Sequence, residues 1–162
     1  MDETTGSRED QVRTQGRSSL VGWASLGLTL AGWAIGLYLT IAHFNSPQAL
    51  YCADTGVVNC AKVTTSAQSY LLGVPVAILG LVYFTLMALV NNPWAWASAK
   101  RSILWGRLIA ASAGLFFVVW LISAEAFIIK NICLWCTGVH IITVVLFVMT
   151  LWATRRRQTN AS

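Results

Sequence analysis

The chain has 162 residues, of which 56% are hydrophobic and 10% charged, and its formal net charge is +5. A water-soluble domain carries about 25% charged residues, so this composition, with a mean hydropathy of +0.63, excludes an ordinary soluble enzyme and points to lipid as the solvent. The basic residues sit between apolar runs rather than along one stripe, which argues for a membrane topology signal and against a nucleic-acid partner.

Residues 1–18 are polar, mix Gly, Ser and Thr with charges of both signs, and are expected to form a disordered cytoplasmic tail. Four apolar runs follow, at about 20–44, 74–90, 103–129 and 132–152. A bilayer core roughly 30 Å thick takes about 17–25 helical residues, so all four are predicted to span, the second being short and the third long. The first run continues into Tyr38, Thr40 and Ile41 without a small-residue processing site, so it reads as a retained helix. The predicted fold is all-α: a four-transmembrane-helix bundle over 19–154, with an extracytoplasmic catalytic loop (45–73) carrying a short helix, and a basic cytoplasmic tail at 155–162.

Within that loop, AKVTTSAQS is long enough for two helical turns, with Asn59 or a neighbour as cap. Pro75 is expected in the first turn of the second helix, where its missing N–H costs nothing. Glycines 22, 27, 32, 36, 106 and 114 suit close helix contacts, and Trp94, Trp96, Trp105 and Trp152 suit a headgroup belt. Arg8, Arg13, Arg17, Lys100, Arg101, Arg107, Arg155, Arg156 and Arg157 share one side of such a bundle; of the 11 basic residues only Lys62 and Lys130 fall on the other. The positive-inside rule then places both termini in the cytoplasm.

All four cysteines lie on the side away from those charges. Cys52 and Cys60 are in the loop with seven residues between them, and Cys133 and Cys136 form CLWC at the start of the fourth run. Residues three apart share a helix face, and a helix N-terminus, for which Asn131 is the expected cap, stabilises a thiolate. So short a closed loop gains little as a structural staple. A loop pair beside a reactive pair is best explained as a thiol–disulfide relay. Competing readings are a structural staple at Cys52 and Cys60, buried packing of Cys133 and Cys136, or a four-thiolate zinc site; the wide loop spacing and the lipid boundary argue against the metal. His140, four residues after Cys136, and Ser66, Trp135, Tyr83 and Phe116 are candidate contacts for a lipid-soluble oxidant. Glu125 is a candidate for proton exchange or for pairing with Lys130.

The loop cysteine, the stretch NCAKVTTSAQSYLLGVPVAILGLVYF and CLWC opening the fourth helix occur in the order seen in the vitamin K epoxide reductase family, and the chain resembles its bacterial branch over about residues 20 to 152. That resemblance implies a four-helix bundle around a quinone (menaquinone or ubiquinone) in the bacterial inner membrane. It further implies that Cys136 lies beside the quinone with Cys133 as its disulfide partner. Cys60 would pass electrons to Cys133, and Cys52 would receive them from a secreted or membrane-anchored thioredoxin-like (DsbA-like) protein. Ser66 matches the family serine near the quinone. His140 stands where the animal enzymes carry a tyrosine, and their Arg- and Gly-rich stretch after the serine is absent, so vitamin K epoxide is not the expected substrate. Two rivals remain: a quinone-independent thiol-electron transporter, which needs cysteines reachable from both faces, and a structural four-helix membrane protein with a loop disulfide.

Overall fold

The computed structural model describes residues 3–46, 50–52, 55–98 and 100–159, with side chains within 19–156. Loop positions 47–49, 53–54 and 99 and the outermost tail residues, 1–2 and 160–162, lie outside the described residues. The fold is an all-α membrane bundle. In order come α1 (Glu3–Asn45), α2 (Cys60–Thr64), a 3₁₀ turn (Ala67–Ser69), strands β1 (Tyr70–Leu71) and β2 (Val74–Pro75), α3 (Val76–Val90), α4 (Pro93–Ala97), α5 (Arg101–Ser123), a π-helical segment (Ala124–Ile129) and α6 (Leu134–Thr159).

Three stretches are long and apolar enough to cross a membrane: Ser19–Asn45, Arg101–Ile129 and Leu134–Arg156. The fourth apolar helix, α3, has 15 residues, about 22 Å at 1.5 Å per residue. Its ends are extended by the β1–β2 hairpin and by α4. α1 packs on α3 and α6, and α5 on α6 and α3, closing a ring of four helices, with α4 set against α1.

Several local expectations are corrected. The backbone is helical from Glu3, so most of the segment expected as a disordered tail continues α1, and α6 likewise runs through Thr159 into the basic tail. Extending an existing helix adds one hydrogen bond per residue without a new nucleation cost. Pro75 is the N-cap of α3 rather than a first-turn residue, because it first pairs with Tyr70 in the hairpin. Leu72 and Gly73, between the paired strands, both have positive φ (53° and 82°), as a two-residue hairpin turn requires.

The expected cap on α2 is present: Asn59 Oδ1 accepts the Lys62 N–H at 2.8 Å. Gly32 lies under the Phe84 ring and Gly114 under Tyr83, each so close that a Cβ would collide with the ring. Gly27 and Gly106, expected at helix contacts, instead face open space. Trp94, Trp105 and Trp152 are exposed as a headgroup belt requires, whereas Trp96 is buried beneath Arg107. The Arg107 guanidinium donates twice to the carbonyl of Val90, at 2.9 and 2.6 Å from Nε and Nη2, satisfying the C-terminal end of α3.

Candidate functional site

The cysteines meet where the loop is sewn to the start of α6. Val58 and Ile132 form a parallel bridge, in which the Asn59 N–H donates to Ile132 O at 3.1 Å and the Ile132 N–H to Val57 O at 2.9 Å. Asn131 was the expected cap of α6. Its Nδ2 instead donates to the carbonyls of Gly56 (2.8 Å) and Val57 (3.2 Å), clamping the loop. The cap is Cys133 itself: its carbonyl accepts from Thr137 at 2.9 Å and its Sγ from the Cys136 N–H at 3.3 Å. Capping by sulfur is possible because the free N–H groups of a helix start donate to any nearby lone pair.

The bridge brings Cys60, the first residue of α2, and Cys133 to the same end of the bundle. Both belong to one buried cluster, 1% and 0% exposed, and Cys52 and Cys136 pack against it. Cys52 and Cys60 are joined as a disulfide, while Cys133 and Cys136 are free thiols. Trp135 anchors the loop segment at Tyr51: its Nε1–H donates to Tyr51 O at 2.9 Å, and its ring stands edge-on to Tyr38, whose hydroxyl accepts the Tyr51 N–H at 3.0 Å. Trp135 therefore positions Cys52 and does not line the cavity below.

That cavity, about 390 Å³, runs into the bundle from the cysteine end, within the range of small-molecule sites. Of the candidates named from sequence, Ser66, Tyr83, Cys136 and His140 line it. The Ser66 hydroxyl is engaged with Val63 O at 2.8 Å. The Tyr83 hydroxyl is buried and has no hydrogen-bond partner among the described residues. Phe116, expected as a contact, is 79% exposed on the outer face of α5, and its neighbour Phe117 lines the cavity instead. Glu125 lines it as well and makes no ion pair with Lys130 among the described residues. Sequence reasoning missed His43, Gln68 and Thr143. Thr143 was within reach of it, since Cys136, His140 and Thr143 form one i, i+4, i+7 stripe.

A family model for the vitamin K epoxide reductase family matches residues 23–151. The chain belongs to the vitamin K epoxide reductase family. No curated protein matches it. As a member of this family with three or more apolar helices, it is a multi-pass membrane oxidoreductase of thiols and disulfides.

In this family member the electrostatics of the thiol pair favour one sulfur. A hydrogen bond from the Cys136 thiol holds Cys133 below the ordinary thiol value of 9.0, aided by the N–H groups of Cys136 and Trp135 and opposed by burial and by Glu125. A lowered thiol keeps its reactive thiolate to lower pH. In the reduced Cys52→Ala/Cys60→Ala chain, thiolate absorbance should therefore persist below pH 9.0. Adding Cys136→Ala should move that titration upward; no movement would show that the hydrogen bond is not the cause.

Proposed function

We propose that the chain oxidises a secreted thioredoxin-like protein and delivers the electrons, through its two cysteine pairs, to a membrane quinone. A reduced partner thiolate attacks Cys52 of the loop disulfide, and Cys60 leaves as a thiolate. The partner's second thiol then displaces Cys52, so the partner departs oxidised and the loop holds two thiols. Cys60 next attacks Sγ of Cys133 in the Cys133–Cys136 disulfide, Cys136 leaves, and Cys52 closes on Cys60 to regenerate the loop disulfide. Each exchange conserves the electron pair, and the cycle leaves Cys133 and Cys136 reduced.

The carrying observation is the common buried cluster of Cys60 and Cys133, directly above a cavity whose wall includes Cys136. A quinone suits that cavity: Phe84, Phe117 and Val118 supply apolar walls, and the orphaned Tyr83 hydroxyl supplies a donor for a carbonyl oxygen. Ser66 and His140 are the other polar contacts proposed for it. A quinone takes up two electrons and two protons, the equivalents that a dithiol gives on closing to a disulfide. The family is generally quinone-linked, which supports the same assignment.

The proposed orientation puts the cysteine end outside the cytoplasm and both termini within it, supported by the basic residues grouped at the opposite end of the bundle. A partner whose second cysteine is replaced by alanine tests the partner step, because it can attack the Cys52–Cys60 disulfide but has no thiol left to displace Cys52. It should accumulate as a mixed disulfide with Cys52, seen on non-reducing gels. Absence of any adduct in cells, or an adduct carried by Cys133, would sink the proposed order.

A further inference from the structure

We propose that Glu125 is the proton carrier between the Cys133–Cys136 pair and the electron acceptor in the cavity, an assignment that rests on the quinone-linked function above. The sequence alone leaves an acidic residue near the end of a long apolar run. The structure gives it a location. α5 does not continue as an α-helix to its end but widens into the π-helical segment Ala124–Ile129, which terminates at Lys130 in the left-handed conformation (φ 55°). Widening of this kind re-aims side chains and recurs at functional sites. Here it buries Ala124 and Glu125, the latter 8% exposed, while Phe127 and Ile128 face outward.

The Glu125 carboxyl lines the cavity with Cys136 and faces the backbone N–H of Cys133. The other titratable groups around it are His43 from α1, Tyr83 from α3, and Cys133, Cys136 and His140 from the start of α6. Lys62 on α2 and Lys130 beyond the π segment are exposed, and neither lines the cavity. Of the carboxyl and the two histidines on the cavity wall, Glu125 alone bears electrostatically on both thiols. An ionisable group at membrane depth is costly and tends to mark a proton path.

The chemistry needs such a group. Closing Cys133 and Cys136 into a disulfide breaks two S–H bonds, forms one S–S bond, and releases two electrons and two protons. A quinone that accepts the two electrons takes up two protons, so the exchange balances without water or a further reactant. Both sulfurs are packed in an apolar cluster. Glu125 takes a proton from the pair as the S–S bond forms and hands it to the acceptor's oxygen, alternating between carboxylate and carboxylic acid twice per turnover.

The test compares the full-length chain with Glu125→Gln, which keeps the shape and removes the acid. In the quinone-free protein, the infrared difference between the oxidised and reduced Cys133–Cys136 pair should contain a protonated-carboxyl band that Glu125→Gln abolishes. Single-turnover quinone reduction should slow by about 100-fold in that variant, within the span of general acid–base effects, while exchange between the loop pair and its thiol partner is unchanged. Glu125→Asp should keep the band and fall between the two in rate, which decides the matter if Glu125→Gln fails to fold. An unchanged band or an unchanged rate in Glu125→Gln overturns the assignment. Failure of the wild-type chain to reduce any quinone would instead refute the parent function, and the infrared result would then decide Glu125 alone.

Discussion

A chain reduced to Cys60 and Cys133 by the substitutions Cys52→Ala and Cys136→Ala should close a single disulfide between those two under mild oxidation. The two residues share one buried cluster, brought together by the bridge between Val58 and Ile132 and the clamp of Asn131 on Gly56 and Val57. Removing Cys136 alone should have a second and larger consequence. Cys133 could then close only with Cys60 of the loop, the cavity wall would carry no cysteine among the described residues, and quinone reduction would depend on thiols from solution. Well-placed intramolecular groups act with effective molarities of about 10⁵–10⁸ M, so a millimolar external thiol cannot compensate. A rate loss of at least about 1,000-fold is expected. Peptide mapping on non-reducing gels checks the first outcome and quinol absorbance the second. A Cys60–Cys133 bond that forms no faster than in the detergent-unfolded chain would show that the two are not held together.

Arg107→Ala carries the largest expected stability effect. Arg107 is buried at the basic end of the bundle, bonded twice to Val90 O and stacked 3.9 Å over the ring of Trp96. Hydrogen bonds to a charged donor are worth about 1.5–3 kcal/mol, and a desolvated cation–π contact about 2. Truncation strips the Val90 carbonyl of both donors and leaves Trp96 above a void. We expect a loss of roughly 4 kcal/mol, the lower part of that sum because both bonds share one acceptor and the void partly collapses. Reversible unfolding in detergent measures it. Because the contact lies at the end of the bundle away from the cysteines, the pairing of Cys60 with Cys133 should survive at temperatures where the variant is folded.

Much of the architecture was legible because lipid imposes a simple code. Apolar runs long enough to span must be helices, and the grouping of basic residues orders them. The CLWC pair was visible for a second reason: it is a local spacing that needs no tertiary information, and its redox role is the one proposed above. What stayed hidden is what lipid erases. In α5 nearly every residue is apolar on every face, so no period says whether Phe116 or Phe117 turns inward; neighbours differ by a rotation of about 100°, and only packing against α3 and α6 decides.

The cap of α6 was misread for a related cause. Asn131 is the better cap by propensity, but the loop offers it two carbonyls, and Cys133 takes the vacated place. Trp96 was read as a headgroup aromatic because sequence alone does not pair it with Arg107, eleven residues on. The π-helical segment that turns Glu125 inward has no sequence signature. The acid itself was the one clue, as a charged group out of place in an apolar run.

In the proposed function, electrons run from a protein thiol through the loop pair and then the CLWC pair to a quinone. The most direct measurement places the purified full-length chain in a lipid bilayer with quinone and adds a reduced thioredoxin-like protein. Quinol and newly formed protein disulfide are then counted together. One quinol per disulfide formed is expected, and no quinol when Cys133 and Cys136 are both replaced by alanine. Quinol production that persists in that double variant would contradict the proposed function.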